Sequence, residues 1–234
     1  MKSKLITILT NLALMVIVLA VSFVGFYGGN ATTAMNKNEN HFYGGKEENE
    51  GVSLTFNIYE NAENVEKILD ILDEYEAKAT FFIGGSWADD NVDCVKEIYV
   101  RGHEVGSHGY FHKDHSKMSL DANLEEIRPS IKLLDMISGV QTKMFAPPSG
   151  AFNENTLTAC DSLGLRVIMW SRDTVDWRDK DKDLIVKRAT NNLKAGEFIL
   201  MHPKDITVQS LPEILIYIRE NGLKTLTVSQ NLGE

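Results

Sequence analysis

From Gly51 onward, apolar extended segments and amphipathic helical segments alternate without a break, and this alternation limits the fold more than any other feature of the chain. Val52–Asn57 (VSLTFN) is the first strand candidate, after which Val65, Ile68, Leu69 and Leu72 recur at helical spacing. Ala79–Ile83 (ATFFI) has the β-branched and aromatic content of a buried strand; Gly84-Gly85 ends it, and Ser86 is placed to cap a helix running to about Arg101-Gly102. His103–Ser107 forms a third strand. The helix that follows carries Leu124, Ile127, Ile131 and Leu134 on one face and takes Pro129 only with a bend or an interruption. Met144-Phe145 begins a fourth strand, Asn153 caps a helix through Cys160 and Leu163, and Leu165–Trp170 (LRVIMW) is a fifth. A helix around Leu184, Ile185 and Leu193 leads to Glu197–His202, Pro212 falls in the first turn of a helix with Leu215 and Ile218, and Leu223–Val228 closes the chain as a seventh strand. Seven strands alternating with six helices predict a parallel β/α architecture, which an open doubly wound sheet and a barrel satisfy equally.

In either architecture the active site lies beyond the C-terminal ends of the strands, and Asn57, His108, Asp173, Asp176 and His202 each follow such an end. The stretch Gly102–Ser116 (GHEVGSHGYFHKDHS) holds four of the chain's six histidines. Residues four apart, as His108 and His112 are, share a face of a helical turn or meet where a strand end curls into a loop, and either arrangement offers two imidazole nitrogens to one metal. The plainer reading is a cluster of surface histidines. His202 ends ILMH, and Asp176 precedes Trp177 in SRDTVDW. A carboxylate beside an imidazole fixes its tautomer and favours its protonated form, which would suit His202 to general acid or base work, although strand-end histidines are often simply hydrogen bonded. Trp177 and Leu200 are candidates to wall an apolar pocket. Pro147-Pro148-Ser149-Gly150 is a rigid turn whose N–H groups could stabilise an oxyanion, and equally an ordinary loop.

Lys2 and Lys4 precede an uncharged stretch from Leu5 to Tyr27, long enough to cross a bilayer. It exceeds a typical signal core, and Thr33-Ala34 is a weak cleavage site, so the expectation for residues 1–28 is a retained single-pass membrane anchor with the remainder outside; cleavage would secrete it. Residues 29–50, rich in Gly, Asn, Thr and Glu, read as a flexible linker, and 51–230 as the globular domain. The net charge of −9 and the lack of a long basic run argue against a nucleic-acid partner, and nothing predicts a protein partner. Cys94 and Cys160 fall inside helices as two core thiols.

The motifs LTFN, KATFFIGG, RGHEVGSHGYFH, FAPPSG, DTVDW and ILMHP, in that order, resemble those of the NodB-homology polysaccharide deacetylases, carbohydrate esterase family four, and in particular a membrane-anchored, sporulation-associated branch of Gram-positive bacteria. The resemblance covers Gly51 to Ser229. It implies a distorted (β/α)7 barrel and removal of N-acetyl groups from a cell-wall glycan such as peptidoglycan. It further implies a divalent metal, zinc above all, held by one aspartate and by residues matching His108 and His112. In such enzymes a residue matching His202 is the general acid, tuned by the aspartate matching Asp176. Those matching Trp177 and Leu200 line the acetyl pocket, and a backbone N–H of the Pro147-Pro148-Ser149 turn faces the oxyanion.

The chain departs from the family pattern at the first and third motifs. Where the family reads Thr-Phe-Asp-Asp-Gly, this chain has Thr55-Phe56-Asn57-Ile58-Tyr59, so Asn57 replaces the base and Ile58 the metal-binding aspartate. An amide accepts no proton at neutral pH, and isoleucine has no donor atom for zinc. Ala146 replaces the arginine that orients the base, and Ser149 replaces an aromatic residue. One expectation is therefore a deacetylase with redistributed work, in which Asn57 or Glu60 supplies a weaker ligand and the His202–Asp176 pair acts first as base, then as acid. A second is a glycan-binding or structural protein on the deacetylase barrel, and a third is a metal-dependent hydrolase of another acyl group.

Overall fold

The computed structural model describes residues 40–234, so the expected anchor and the first part of the expected linker lie outside the described residues. Among the described residues no helix is long and apolar enough to cross a membrane. In chain order the elements are β1 (His41–Phe42), β2 (Gly51–Ile58), α1 (Ala62–Glu74), β3 (Ala79–Ile83), α2 (Gly85–Asp90), α3 (Val92–Val100), β4 (Glu104–Ser107) and α4 (Leu120–Ser138). They continue as β5 (Met144–Phe145), α5 (Glu154–Ser162), β6 (Arg166–Ile168), β7 (Arg172–Asp173), α6 (Lys182–Thr190), β8 (Phe198–Met201), α7 (Asp205–Glu220), β9 (Lys224–Thr225) and α8 (Val228–Leu232).

The strands form one sheet in the order β1-β6-β5-β4-β3-β2-β8-β7, with β9 also beside β2. Every strand pair in it is parallel. The sheet curls until Gly44, just after β1, bridges Glu197, just before β8. The result is the distorted, incompletely closed barrel that the resemblance implied.

Strand β2 shows why these residues build a barrel wall. Side chains alternate across a strand. Val52, Leu54, Phe56 and Ile58 enter the large apolar cluster with Val65, Ile68 and Leu72 of α1 and Leu211, Ile214 and Leu215 of α7. Burying each large apolar side chain contributes about 1.5–3 kcal/mol. The intervening residues are polar and satisfied across the interior: Ser53 Oγ donates to Thr227 O, and Thr55 Oγ1 donates to Ile199 O at 3.0 Å. Asn57 therefore ends the interior face of β2, while Ile58 sits in the layer between sheet and helices.

Several expectations change. Part of the expected linker joins the sheet as β1, where Asn40 Nδ2 donates to Leu165 O at 2.9 Å and Phe42 O accepts from Met169 N at 2.8 Å. A two-residue strand among Gly and Asn has no periodicity to betray it. The same holds for β7, which follows β6 by a few residues in the chain and pairs with β8 at the other end of the strand order. The seventh strand shrinks to Lys224–Thr225 because Thr227 caps α8 in a capping box with Gln230. Helix α7 begins at Asp205, so Pro212 lies in its interior instead of its first turn. Ser86 is inside α2, which Gly84 precedes as N-cap, and Asn91 separates α2 from α3. Pro129 is carried within a continuous 19-residue α4, secured by Ser119 at its start and by Gly139, at φ 74°, past its end. Asn153 caps α5 as expected. Cys94 and Cys160 are free and buried, and burial pushes their thiols up to about 11 and about 12, which leaves them inert.

Candidate active site

The C-terminal ends of the strands surround a cavity of about 390 Å³ lined by Asn57, His108, His112, Ser149, Trp170, Asp173, Trp177, Leu200 and His202. Six of the residues the sequence singled out as catalytic, metal-binding or pocket-lining thus meet Ser149, Asp173 and Trp170 in one space. An open groove of about 430 Å³ between Tyr75, Lys78, Arg219 and Lys224 lies at the opposite strand ends, without such a convergence.

His108 follows β4 directly and is 2% exposed. Its Nδ1 lies 2.7 Å from Ala146 O, so Nδ1–H donates to that carbonyl and Nε2 is left as the free nitrogen. Burial, then the neighbouring His112, pushes its pKa down to about 3, so the ring is neutral. The His112 ring lies with its centroid 5.0 Å from that of His108 and 4.9 Å from that of Tyr59. Its pKa is also lowered, chiefly by burial. The two histidines thus meet where a strand end curls into a loop, one of the two arrangements their spacing allowed.

His202 follows β8, and Asp176 lies behind it, outside the cavity lining. Asp176 Oδ1 is 2.7 Å from His202 Nδ1, while Oδ2 accepts from His202 N at 2.7 Å and from Thr207 Oγ1 at 2.5 Å. Three donors on a carboxylate that is 3% exposed hold the imidazole in one orientation, with Nε2 as its remaining nitrogen. Leu200 is buried, and Trp177 is 54% exposed at the rim. Asp173 lines the cavity with Oδ1 accepting from Val175 N at 2.8 Å.

The end of β2 is furnished differently. Asn57 is 5% exposed, and its Oδ1 has no hydrogen-bond partner. Ile58 is buried in the apolar cluster and lines no part of the cavity. Glu60, a candidate weak ligand from sequence, is ion-paired with Lys204 and is not a lining residue. Ala146 is packed with Phe82, Met144, Ile168 and Phe198. Pro147 and Pro148 do not line the cavity; they frame the turn from which Ser149 does, with Gly150 N donating to Pro147 O at 2.9 Å.

Among the described residues no group of three His, Cys, Asp or Glu side chains converges on a point that could hold a metal ion. A catalytic zinc takes three protein ligands, and here two imidazoles share the cavity with a neutral amide at the end of β2. That donor set does not fit the resident metal of an Asp-His-His site.

Two residues that line this cavity have left-handed backbone, His112 (φ 54°) and Ser149 (φ 56°), as does Val175 (φ 58°), which lies in sequence between the lining residues Asp173 and Trp177. Such conformations, most costly for a β-branched residue, persist where surrounding contacts impose them. Trp170 and Thr207 were not legible as site residues. Trp170 closes a strand-like apolar run and reads as core, and Thr207 meets Asp176 only through the packing of α7.

The geometry matches known proteins. Residues 44–168 match the family model described as polysaccharide deacetylase. A peptidoglycan-N-acetylglucosamine deacetylase of Bacillus cereus is 31% identical over 76% of this chain and 66% of its own. YlxY of Bacillus subtilis is 33% identical over 82% of this chain and 60% of its own. The chain therefore spans about two thirds or less of these relatives. A CE4 family pseudoenzyme from Bacillus anthracis, 30% identical, superposes with a TM-score of 0.80 over 83% of this chain and 69% of its own; a mutant of that protein is described as having restored enzymatic activity. CE4 deacetylases are generally metal-dependent. Since the family match takes in more than half of the chain, the chain belongs to the polysaccharide deacetylase family.

Proposed function

We propose that the protein binds an N-acetylated cell-wall glycan of the peptidoglycan class in the His108–His202 cavity and that hydrolysis of the acetamide is severely impaired. The unpartnered Oδ1 of Asn57, standing where a general base is needed, is the observation that carries this reading. An amide oxygen accepts a hydrogen bond from a ligand N–H or O–H but takes no proton from water at neutral pH. The apolar side of the cavity, Leu200 with Trp177 and Trp170, suits the acetyl methyl and the face of a sugar ring. The substrate class rests on the relatives, two of which carry names that specify peptidoglycan N-acetylglucosamine and N-acetylmuramic acid. Bound metal supplies Lewis-acid polarisation in active members, and the two imidazoles and neutral amide of this cavity do not fit that metal. The anchor proposed for residues 1–28 would hold the domain at the outer face of the membrane, beside such a glycan.

Binding of an N-acetylglucosamine oligomer, measured by calorimetry, with acetate release assayed in parallel, tests the reading. Binding without acetate supports it, and absence of binding sinks it. A second reading, residual hydrolysis with His202 as base and then acid, is favoured by one observation: the Asp176 carboxylate still receives three hydrogen bonds that orient His202. Acetate release abolished by His202→Ala would select this second reading.

A further inference from the structure

The loop that carries the histidines is held from two sides. On one side the first turn of α2 reaches it, Gly85 N donating to Gly109 O at 2.8 Å and Ser86 N to Tyr110 O at 3.0 Å. On the other lies α4, whose apolar pattern predicts a simple packing helix. Yet Asn123, Glu126 and Ser130, at helical spacing of three and four, are all buried, at 0–2% exposure. Each meets the loop at a different point. Ser130 Oγ lies 2.9 Å from Ser107 Oγ, which also accepts from Gly109 N at 3.1 Å. Asn123 Oδ1 lies 2.7 Å from Nδ1 of His115 at the far end.

Glu126 takes the middle. Its backbone carbonyl accepts from Tyr110 N at 3.1 Å, and its Oε1 accepts from Phe111 N at 2.5 Å. Its Oε2 is 3.5 Å from Lys113 Nζ. His112 therefore lies between a residue whose N–H is fixed by the carboxylate and one whose side chain pairs with it. His112 is also the residue whose φ of 54° needs external support. A carboxylate at 2% exposure is costly to bury and is tolerated here only because these donors surround it.

We infer that Glu126 is the positioning residue of this site: through Phe111 N–H and Lys113 it sets the left-handed turn that aims His112 into the cavity. It touches no ligand itself. The consequence for glycan affinity rests on the binding reading given above, whereas the placement of His112 does not. The structure accounts for a buried acid that apolar packing alone would not call for.

The test uses the full-length chain with 15N-labelled histidine, in parent, Glu126→Gln, Glu126→Asp, Glu126→Ala and Ile131→Ala forms. Imidazole nitrogen signals are recorded alone and during titration with N,N′,N″,N‴-tetraacetylchitotetraose. Glu126→Gln keeps an acceptor oxygen at the right reach, so His112 signals and affinity stay within about twofold of the parent. Glu126→Ala, and Glu126→Asp, which is one methylene too short, shift or broaden the His112 signals and weaken binding about tenfold, while His202 signals stay in place. Ile131→Ala, on the same helix but packed on a different cluster, changes neither. Should the alanine variant fail to fold, the aspartate variant decides. Parent-like His112 signals in a folded Glu126→Asp or Glu126→Ala protein, or the same change in Ile131→Ala, would overturn the inference. A parent that binds no oligosaccharide would refute the binding reading, and the imidazole signals would still judge Glu126.

Discussion

The two sides of the cavity have been kept to different standards. At the ends of β4 and β8, each inward imidazole has its second nitrogen engaged, His108 by Ala146 O and His202 by Asp176, and the carboxylate behind His202 is itself saturated with donors. At the end of β2, Asn57 presents an oxygen with no partner, Ile58 belongs to the apolar layer, and Ala146 is packed among hydrophobic residues. The imidazoles are therefore held in fixed orientations at one side of the cavity, while the end of β2 carries no proton-accepting carboxylate. Binding a planar, neutral acetamide needs shape and hydrogen-bond partners; cleaving it needs a base as well.

The largest expected effect lies on the intact side. Asp176→Ala strands His202 N–H, His202 Nδ1–H and Thr207 O–H inside the protein, and loss of a buried, multiply bonded carboxylate should cost about 3 kcal/mol or more in a denaturation experiment. A loss under about 1 kcal/mol would mean that the dyad is not the built element described here. A comparable effect should come from acid, and from neither side of the cavity. His103 precedes β4, is 4% exposed, and has neither ring nitrogen hydrogen bonded. Burial first, then the Lys78 charge, pushes its pKa down to about 4. Because the unfolded ring titrates near pH 6.5, protons bind the unfolded chain first as the pH falls. Stability is then lost between about pH 6.5 and 4, by about 3 kcal/mol for this group, and is level with respect to it below that. His103→Phe, which keeps the edge contact to Phe81 ring-on-ring, should remove this part of the acid limb in denaturation curves at pH 7 and pH 4.5.

Smaller effects sharpen the contrast. Trp177→Ala should weaken binding of an N-acetylglucosamine oligomer about tenfold, the worth of one sugar-facing aromatic, with stability nearly unchanged because the ring is half exposed. Asn57→Ala removes an amide whose oxygen is already unsatisfied, so it should change stability by less than about 1 kcal/mol. A loss as large as that of Asp176→Ala would erase the difference between the two sides.

The long strands and amphipathic helices were legible because burial on one or both faces writes a period into the chain, and the family motifs turned strand ends into a barrel. Asn57, His108, Asp173 and His202 were placed in the cavity neighbourhood by the rule that strand ends converge, whereas His112, Trp177 and Leu200 were tied to it by the family resemblance. Short elements escaped: β1 and β7 owe their existence to hydrogen bonds from neighbours, not to their own pattern. Pro147 and Pro148 could be assigned to the site turn but not excluded from the lining. Glu126 was hidden because its helix reads as apolar packing, although the polar series Asn123, Glu126, Ser130 at helical spacing was a signal that its acid faces inward.

The central claim is that the cavity binds an N-acetylated glycan without a base to cleave it. Acetate release from an N-acetylglucosamine oligomer, at a concentration shown by calorimetry to saturate the protein, tests this most directly, with the parent compared against His202→Ala. The expected result is a bound parent whose acetate release stays at the level of the His202→Ala blank. A positioned general base contributes roughly a hundredfold or more in rate, so a parent that releases acetate about a hundredfold faster than that blank would contradict the claim.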